Sequence, residues 1–362
     1  MLPKLDRYII GKFLATFFFT CLVFTILAFV IDFAEKVEEF IDEPVTVAQV
    51  AFEYYLPFFG YINAILWPMF TLIAVVFFTT RMAGNNEIIS MLNAGVSFNR
   101  LLRPYLIAAG IIGGLHLLMN HLLVPYGNIS RLDFEHAYVW KESDKGKKQN
   151  VHMFLDEHTK IYVRYYSKRD TSARDMRIET FDGNRLVSLV KAGRAIWLGP
   201  PNRWRLQSYE IRTFDGMNET IRLGKNSHID TTLRLYPDDF VRYDNTKEMI
   251  PTPRLASFIA QEKQRGIGNT RVFEIEQHRR TADTFTIFIL TLIGISVAAR
   301  KTRGGLGINL VIGIIIGLLF VFLSRFSITF AQSDALPILL GVWLPNILFG
   351  SIAAFLVSRA QK

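Results

Sequence analysis

The stretch FLATFFFTCLVFTILAFVI, from Phe13 to Ile31, decides the fold class of this chain because none of its residues is charged. An apolar run of about 20 residues is long enough to cross a hydrocarbon core of roughly 30 Å as a helix. The run is too long for a signal peptide and lacks a small-residue cleavage site, so we expect a membrane span that is retained.

Five further apolar runs have the length of membrane spans. They lie at about residues 51–80, 106–124, 284–299, 306–330 and 339–357. Three spans thus precede a long polar segment and three follow it. The second run exceeds the bilayer thickness at about 1.5 Å per residue and contains Pro57 and Pro68, so we expect it to be tilted or kinked.

The composition fits a chain that keeps charged and apolar residues apart. The mean hydropathy is +0.23 although 20% of the residues are charged. This combination excludes a disordered chain, a secreted disulfide scaffold and an ordinary soluble enzyme. The single cysteine, Cys21, lies in the first apolar run and excludes both an intramolecular disulfide and a cysteine-based metal cluster.

Basic residues beside the spans predict the orientation of the chain. Eleven Lys and Arg flank one side, whereas the short loops on the other side contain only Lys36. The eleven are Lys4, Arg7, Lys12, Arg81, Arg100, Arg103, Arg300, Lys301, Arg303, Arg359 and Lys362. The positive-inside rule therefore predicts that both termini are cytoplasmic and that residues 125–283 are periplasmic. The net charge of +9 then needs no nucleic-acid partner.

The polar segment has the two-residue periodicity of β-strands. Turn residues separate strand-like runs at 161–166, 177–181, 185–190, 194–198, 203–212, 219–223 and 229–235. The apolar phase slips between Leu206 and Tyr209, which predicts a β-bulge. Several short strands at this spacing are typical of a sandwich or jelly roll.

The predicted fold class is an α-helical membrane protein with six transmembrane helices, arranged three plus three, and an inserted all-β periplasmic jellyroll-like domain. Residues 1–124 contain the first three spans and a cytoplasmic helix at 84–95. The β domain occupies residues 125–250, a helical connector 251–283, and the last three spans 284–362.

The cytoplasmic segment 81–97 predicts a short amphipathic helix. Asn86 is a plausible N-cap, Glu87 in the first turn complements the helix dipole, and Gly95 can end the helix. The apolar residues form one stripe, which consists of Ile88, Met91 and Leu92. Such a helix can lie on the membrane, but it has few basic residues for that role and fits better as a contact for a cytoplasmic partner.

No enzymatic site is predicted. The chain contains no phosphate-binding loop and no nucleophile–base pair, so we expect no enzyme activity, cofactor or ATP hydrolysis by the chain itself. His116, Asn120 and His121 have helical spacing that can begin a metal site. No carboxylate or cysteine lies nearby to complete such a site, so we favour interfacial polar residues and predict no metal.

Two basic residues at the outer ends of spans have alternative interpretations. Lys36 follows the first span and Arg325 lies toward the outer end of the fifth. Each can reach the lipid headgroups, or it can face an internal cavity and pair with an anionic ligand. A neighbouring acidic residue offers Lys36 a third role as an ion-pair partner.

An ordered set of short motifs covers almost the whole chain. In sequence order these are Arg7-Tyr8, Glu87…Gly95-Val96-Ser97, Phe181-Asp182, Ala195-Ile196-Trp197, Trp204-Arg205-Leu206, Glu276…His278-Arg279-Arg280, Leu292-Ile293-Gly294, Arg303-Gly304-Gly305 and Trp343-Leu344-Pro345-Asn346. With the three-plus-three topology, the set resembles the LptF/LptG (YjgP/YjgQ) permease family of the lipopolysaccharide exporter. Two features depart from it: Asp283-Thr284 stands where the family often has a proline, and Arg325 belongs to no motif.

The resemblance implies a Gram-negative inner-membrane permease subunit without enzyme activity. The implied partners are a second LptF/LptG subunit, a cytoplasmic LptB-like ATPase dimer and a bitopic LptC-like subunit. The implied substrate is lipopolysaccharide, which the complex extracts from the membrane and passes through the β domain to a periplasmic bridge. The implied ATPase-coupling residues are Glu87, Ile88, Met91, Leu92 and Gly95. Lys36 and Arg325 are candidate substrate-binding residues.

Two other classes of function remain open from the sequence. A permease for another envelope lipid or lipoprotein would share the three-plus-three pattern or the coupling helix. A membrane anchor for a periplasmic binding domain would transport nothing and would need no coupling helix.

Overall fold

The computed structural model describes residues 3–140, 149–156, 158–167, 170–216, 218–240, 245–265, 270–299, 305–333 and 335–360. In chain order its helices are α1 (Lys4–Asp42), α2 (Val47–Gly84), α3 (Glu87–Asn93), α4 (Phe98–Val139), α5 (Thr246–Met249), α6 (Thr252–Arg265), α7 (Arg271–Ala298), α8 (Gly305–Gln332) and α9 (Ile338–Ala360). Within these residues, six helices are long and apolar enough to cross a membrane, as predicted: α1, α2, α4, α7, α8 and α9. Four of the flanking basic residues used for orientation, Arg300, Lys301, Arg303 and Lys362, lie outside the described residues.

The chain forms two compact units. The helical unit comprises Met1–Val139, Glu248–Thr252 and Arg271–Lys362, and the insert unit comprises Trp140–Lys247 and Pro253–Thr270. Each unit is described by itself below.

The spans of the helical unit are buried to very different extents. Buried residues make up 61% of the most apolar window of α2 and of α7, but only 17% of that of α1 and 22% of that of α8. The central packing contains Phe13 and Phe17 of α1, Val75 of α2, Tyr105 of α4 and Ile287 of α7. Helices α2 and α7 therefore form the middle of the unit, whereas α1 and α8 leave most of their apolar surface uncovered.

The second and third spans are longer than the apolar runs that predicted them. Helix α2 begins at Val47, contains a π-helical turn at Val50–Tyr55 and then continues through Pro57 and Pro68. Helix α4 extends beyond residue 124 to Val139 through two further π-helical turns. Polar side chains occupy these extensions, so hydropathy alone did not reveal that the helix continued.

Polar side chains and small residues join the spans. Thr80 of α2 accepts a hydrogen bond from Asn309 of α8 at 3.1 Å, and Thr286 of α7 donates to Asn346 of α9 at 2.8 Å. A Cβ added at Gly294 of α7 would lie 2.9 Å from a methyl carbon of Val75. Such close backbone approaches and interhelical hydrogen bonds stabilise helix pairs in a lipid environment, where burial from water supplies little driving force.

The insert unit contains one antiparallel sheet of six strands. The strands are β1 (Gln149–Phe154), β2 (Thr159–Ser167), β3 (Ser172–Asp182), β4 (Arg185–Gly199), β5 (Arg203–Asp215) and β6 (Asn218–Thr232), and they are neighbours in that order. The pairing of β5 with β6 shifts between Gln207 and Tyr209, which confirms the predicted bulge. A two-residue connection, Gly183-Asn184, joins β3 to β4.

One face of this sheet carries the core of the insert unit. Trp204 is fully buried, and its Nε1 donates a hydrogen bond to the carbonyl oxygen of Leu235 at 2.9 Å. Tyr166 stacks on Phe240 with ring centroids 4.2 Å apart. On the exposed side, Arg205 forms a bidentate pair with Asp230 at 2.8 and 2.9 Å, and these hydrogen bonds hold the pKa of Asp230 below its usual value.

The all-β insert within a helical membrane protein is confirmed. Its strand connections differ in detail from the jellyroll-like expectation, because every described strand pairs with the one before it in the chain. Consecutive pairing of this kind is that of a meander, whereas a jelly roll contains crossing connections. Alternation of apolar residues shows which face of a strand is buried but does not show which strands are neighbours, so the sequence could not distinguish the two.

Candidate functional site

The predicted coupling segment folds as the short helix α3. It begins after Asn86, which occupies the predicted N-cap position, although its φ of 61° is left-handed and its side chain makes no capping hydrogen bond. It ends as predicted at Gly95, whose φ is 86°. The Gly95 amide donates to the carbonyl oxygen of Leu92 at 3.0 Å, and the Val96 amide donates to that of Met91 at 3.1 Å. These bonds form a Schellman motif, which requires the conformation that glycine adopts without strain.

Glu87 is fixed by hydrogen bonds from two sides. The Tyr8 hydroxyl of α1 donates to Glu87 Oε2 at 3.1 Å, and Asn85 Nδ2 donates to Oε1 at 3.3 Å. The side chain remains partly exposed. Because each carboxylate oxygen has two lone pairs, both oxygens can still accept a bond from a basic group on a partner.

The apolar residues of α3 are divided between the protein core and the surface. Ile88 is 1% exposed and belongs to the central packing of the helical unit, and Met91 packs against the same cluster. Leu92 and Ile89 are each 40% exposed. The predicted stripe is therefore not offered as one surface, since part of it attaches α3 to its own chain. The apolar residues that α3 presents outward are Ile89 and Leu92.

The start of α4 is joined to α1 by an ion pair beside α3. Arg100 Nη1 and Nη2 lie 2.8 and 2.9 Å from the two carboxylate oxygens of Asp6, whose side chain is 1% exposed. The Ser97 hydroxyl accepts a bond from the Arg100 amide and caps the same helix end. Sequence reasoning missed this pair, because 94 residues separate its partners and each looks like an ordinary flanking charge.

Lys36 takes the ion-pair role among its three predicted alternatives. Its Nζ lies 2.9 Å from Asp32 and 2.9 Å from Glu135 of α4, and it donates to the Tyr54 hydroxyl. Glu135 also pairs with Arg131 at 3.2 Å. A lysine shared by two carboxylates has its charge already neutralised, so a phosphate on a ligand would have to displace them.

Arg325 differs from Lys36 because it is exposed. Among the described residues, no ion pair within 4 Å and no side-chain hydrogen bond involves its guanidinium group. Its charge acts on Asp283 of α7 and Tyr61 of α2 from a greater distance. Arg325 therefore lies on the uncovered side of α8.

The geometry of the helical unit agrees with what a comparison with protein families finds. The family described as lipopolysaccharide export system permease LptF/LptG matches residues 7–359. The chain belongs to the LptF/LptG family. A comparison with individual curated proteins gave no match. The family is one of transporter permeases, so this is an inner-membrane multi-pass permease of lipopolysaccharide export.

The polar residues of α4 in this LptF/LptG chain are used for packing. His116 is fully buried, with Nδ1 2.7 Å from the Thr284 hydroxyl and Nε2 2.8 Å from the carbonyl oxygen of Ala64. Both ring nitrogens thus have partners on neighbouring spans. Within the described part of the chain, no three His, Cys, Asp or Glu side chains are grouped as metal ligands.

A buried cluster of charges on α7 was not recognised as a site from the sequence. Glu276 and Asp283 each lie three and four residues from the adjacent pair Arg279 and Arg280, which places the four side chains on one side of the helix. Arg280 is 1% exposed and donates to Glu276 at 3.0 Å and to the carbonyl oxygen of Ile250 at 2.9 Å. In this LptF/LptG chain the cluster therefore fastens α7 to residues 250–252. The alternating charges at helical spacing were the signal that could have revealed it.

Proposed function

We propose that this chain is a permease subunit that extracts lipopolysaccharide from the inner membrane by using ATP hydrolysed in a partner protein. One observation supports this most directly. A short helix, α3, lies between two spans, exposes Ile89 and Leu92, and begins at Glu87, whose carboxylate accepts a hydrogen bond from Tyr8. A short helix that carries both exposed apolar residues and an acid suits a groove lined by apolar and basic residues on a cytoplasmic ATPase.

The proposed complex contains two LptF/LptG subunits, an LptB-like ATPase dimer and an LptC-like bitopic subunit. Family membership supports a multi-component ABC transporter. The uneven burial of the spans supports additional partners within the membrane, because the described part of the chain buries only 17% of the most apolar window of α1 and 22% of that of α8. We place both termini in the cytoplasm and the insert unit in the periplasm, where it passes the lipid to a periplasmic bridge.

The proposed lipid path follows the uncovered faces of α1 and α8. On α8, exposed apolar residues recur at helical spacing along the whole span: Val311, Ile315, Leu319, Phe322, Phe326 and Phe330. Arg325 lies beside the last three, so acyl chains and an anionic headgroup can be contacted by the same helix. We assign the phosphate contact to Arg325 and not to Lys36, because Lys36 is already paired with Asp32 and Glu135.

Site-specific photo-crosslinking in cells tests the proposed path. A photoreactive residue at Phe326, next to Arg325, is expected to capture lipopolysaccharide when the whole complex is present. The matched control is Phe355 on α9, which is also an exposed phenylalanine of a span but lies away from the proposed path. It is expected to capture phospholipid only.

Three outcomes decide between the functions. Lipopolysaccharide captured at Phe326 and not at Phe355 supports the proposal. Capture of another envelope lipid or a lipoprotein at Phe326 would show a permease with a different substrate. Equal capture of phospholipid at both positions would contradict a lipid path along α8.

A further inference from the structure

We propose that Tyr8 positions the carboxylate of Glu87. Through this contact, the first two turns of α1 link the coupling helix α3 directly to the membrane-spanning part of α1. This inference rests on the proposed function, because it assumes that α3 meets the ATPase. It names Tyr8 as a positioning residue, since Tyr8 acts through Glu87.

The first support is the geometry around Glu87. The Tyr8 hydroxyl donates to Glu87 Oε2 at 3.1 Å, and the Tyr8 ring lies under Lys12 Nζ at 5.9 Å from its centroid. A carboxylate on a flexible side chain loses rotational freedom when it meets a partner, and a pre-formed bond reduces that loss. Tyr8 therefore holds Glu87 in one orientation before the ATPase binds.

The second support is that the same segment of α1 also holds the next span. Asp6, two residues before Tyr8, is buried and pairs with Arg100 at the start of α4. Ile9 of α1 and Ile88 of α3 belong to the same buried cluster. A hydrogen bond, an ion pair and apolar packing thus join α1, α3 and α4 within four consecutive residues of α1.

The third support is the freedom of α1 elsewhere. Among the six spans, α1 has the smallest buried share of its apolar window. It is a continuous helix of 39 residues, so a displacement of its first turns is carried rigidly along a rod of about 60 Å. A movement of α3 caused by closure of the ATPase would reach α1 directly through the hydrogen bond from Tyr8 to Glu87, in addition to the chain connection from α3 to α2.

The test uses the purified complex in lipid nanodiscs that contain lipopolysaccharide. We compare the wild type with Tyr8→Phe, Glu87→Gln and the double variant Y8F/E87Q. ATP turnover is measured with and without lipopolysaccharide, together with the amount of ATPase that co-purifies and the melting temperature. The matched control is Tyr126→Phe, which removes a hydroxyl from another exposed tyrosine of the helical unit.

Tyr8→Phe is expected to lower the lipopolysaccharide-dependent part of ATP turnover by about 3- to 10-fold, the range for the net loss of one typical hydrogen bond at an exposed site. Turnover without lipopolysaccharide and the melting temperature should remain as in the wild type, because the Tyr8 ring is exposed and is kept. The double variant should be no more impaired than Glu87→Gln alone, since both substitutions act on the contact between Glu87 and the ATPase.

Different failures have different meanings. If Glu87→Gln leaves coupling and co-purification unchanged, the proposed role of α3 is wrong. If Glu87→Gln impairs coupling but Tyr8→Phe resembles Tyr126→Phe, only the positioning role of Tyr8 is overturned. Fully additive effects in the double variant would also overturn it, because Tyr8 would then act independently of Glu87, for example as an anchor at the membrane surface.

Discussion

Neighbouring apolar residues of α3 have opposite environments, so substitutions at them can separate an effect on folding from an effect on the proposed partner contact. Ile88 is enclosed by the chain's own core, whereas Leu92, one turn further on, is exposed. Because Leu92 is exposed, it contributes less than Ile88 to the packing of the isolated chain. Under the proposed function, its side chain contacts the partner ATPase.

Alanine substitutions at these two positions are expected to have different effects. Ile88→Ala leaves a cavity in the core and should destabilise the protein by about 2–4 kcal/mol, with a lower melting temperature in detergent. Leu92→Ala should leave the melting temperature unchanged but reduce the ATPase that co-purifies. The prediction is contradicted if Leu92→Ala retains the ATPase at the wild-type level while the protein remains folded.

The sequence predicted individual residues well where the cause was local. The end of α3 at Gly95 follows from the conformation that a helix end requires. The ion pair of Lys36 with Asp32 is one helical turn away and was among the predicted alternatives. Its pair with Glu135 and the pairing of Asp6 with Arg100 depend on the tertiary fold, so no local pattern indicated either.

At the scale of elements, the contact between α8 and α9 depends on one glycine. A Cβ added at Gly341 of α9 would collide with the Cβ of Ala331 and lie 3.2 Å from the carbonyl oxygen of Ser327, both on α8. The Ser327 hydroxyl also donates to the carbonyl oxygen of Gly341 at 2.5 Å. The two helices therefore approach with their backbones, as small residues allow in membrane proteins.

Gly341→Ala is expected to destabilise the helical unit, whereas Gly350→Ala should not. Gly350 is on the same helix, and a Cβ there would meet only a side-chain carbon of Ile289 at an ordinary 3.8 Å. Both substitutions raise helix propensity equally, so their difference isolates the clash, which should cost about 1–3 kcal/mol. The two melting temperatures in detergent provide the measurement. Equal values would show that α8 moves away without cost.

The sequence predicted where the helices and strands lie more accurately than where each of them begins and ends. All six spans and the bulge between Leu206 and Tyr209 were found, because apolar length and a slip in alternation are direct properties of the sequence. The predicted runs 185–190 and 194–198 are one strand, β4, since Gly193 and its neighbours remain in the sheet despite their weak strand propensity. Strand β1 was not predicted from the sequence. It is defined by its antiparallel pairing with β2.

At the scale of the whole molecule, charge is distributed unevenly between the two parts of the chain. Residues 125–283 contain 28 Lys and Arg and 22 Asp and Glu, an excess of 28 − 22 = +6. The remaining 13 Lys and Arg include the eleven that flank one side of the spans. Only charges close to the spans influence insertion strongly, so the eleven set the proposed orientation and the basic insert does not oppose it.

The proposed orientation predicts which engineered cysteines a membrane-impermeant maleimide can reach. In a Cys21→Ser background, Ser90→Cys places a thiol on exposed α3 and Thr220→Cys places one on exposed β6. In spheroplasts with an intact inner membrane, Thr220→Cys should be labelled and Ser90→Cys should not, whereas detergent should make both reactive. A cytoplasmic protein with a known reactive cysteine reports whether the membrane remains closed.

Labelling of Ser90→Cys in closed spheroplasts would place α3 in the periplasm and overturn the ATPase-coupling role. Protection of Thr220→Cys until detergent is added would place the insert unit in the cytoplasm, where it could not pass a lipid to a periplasmic bridge.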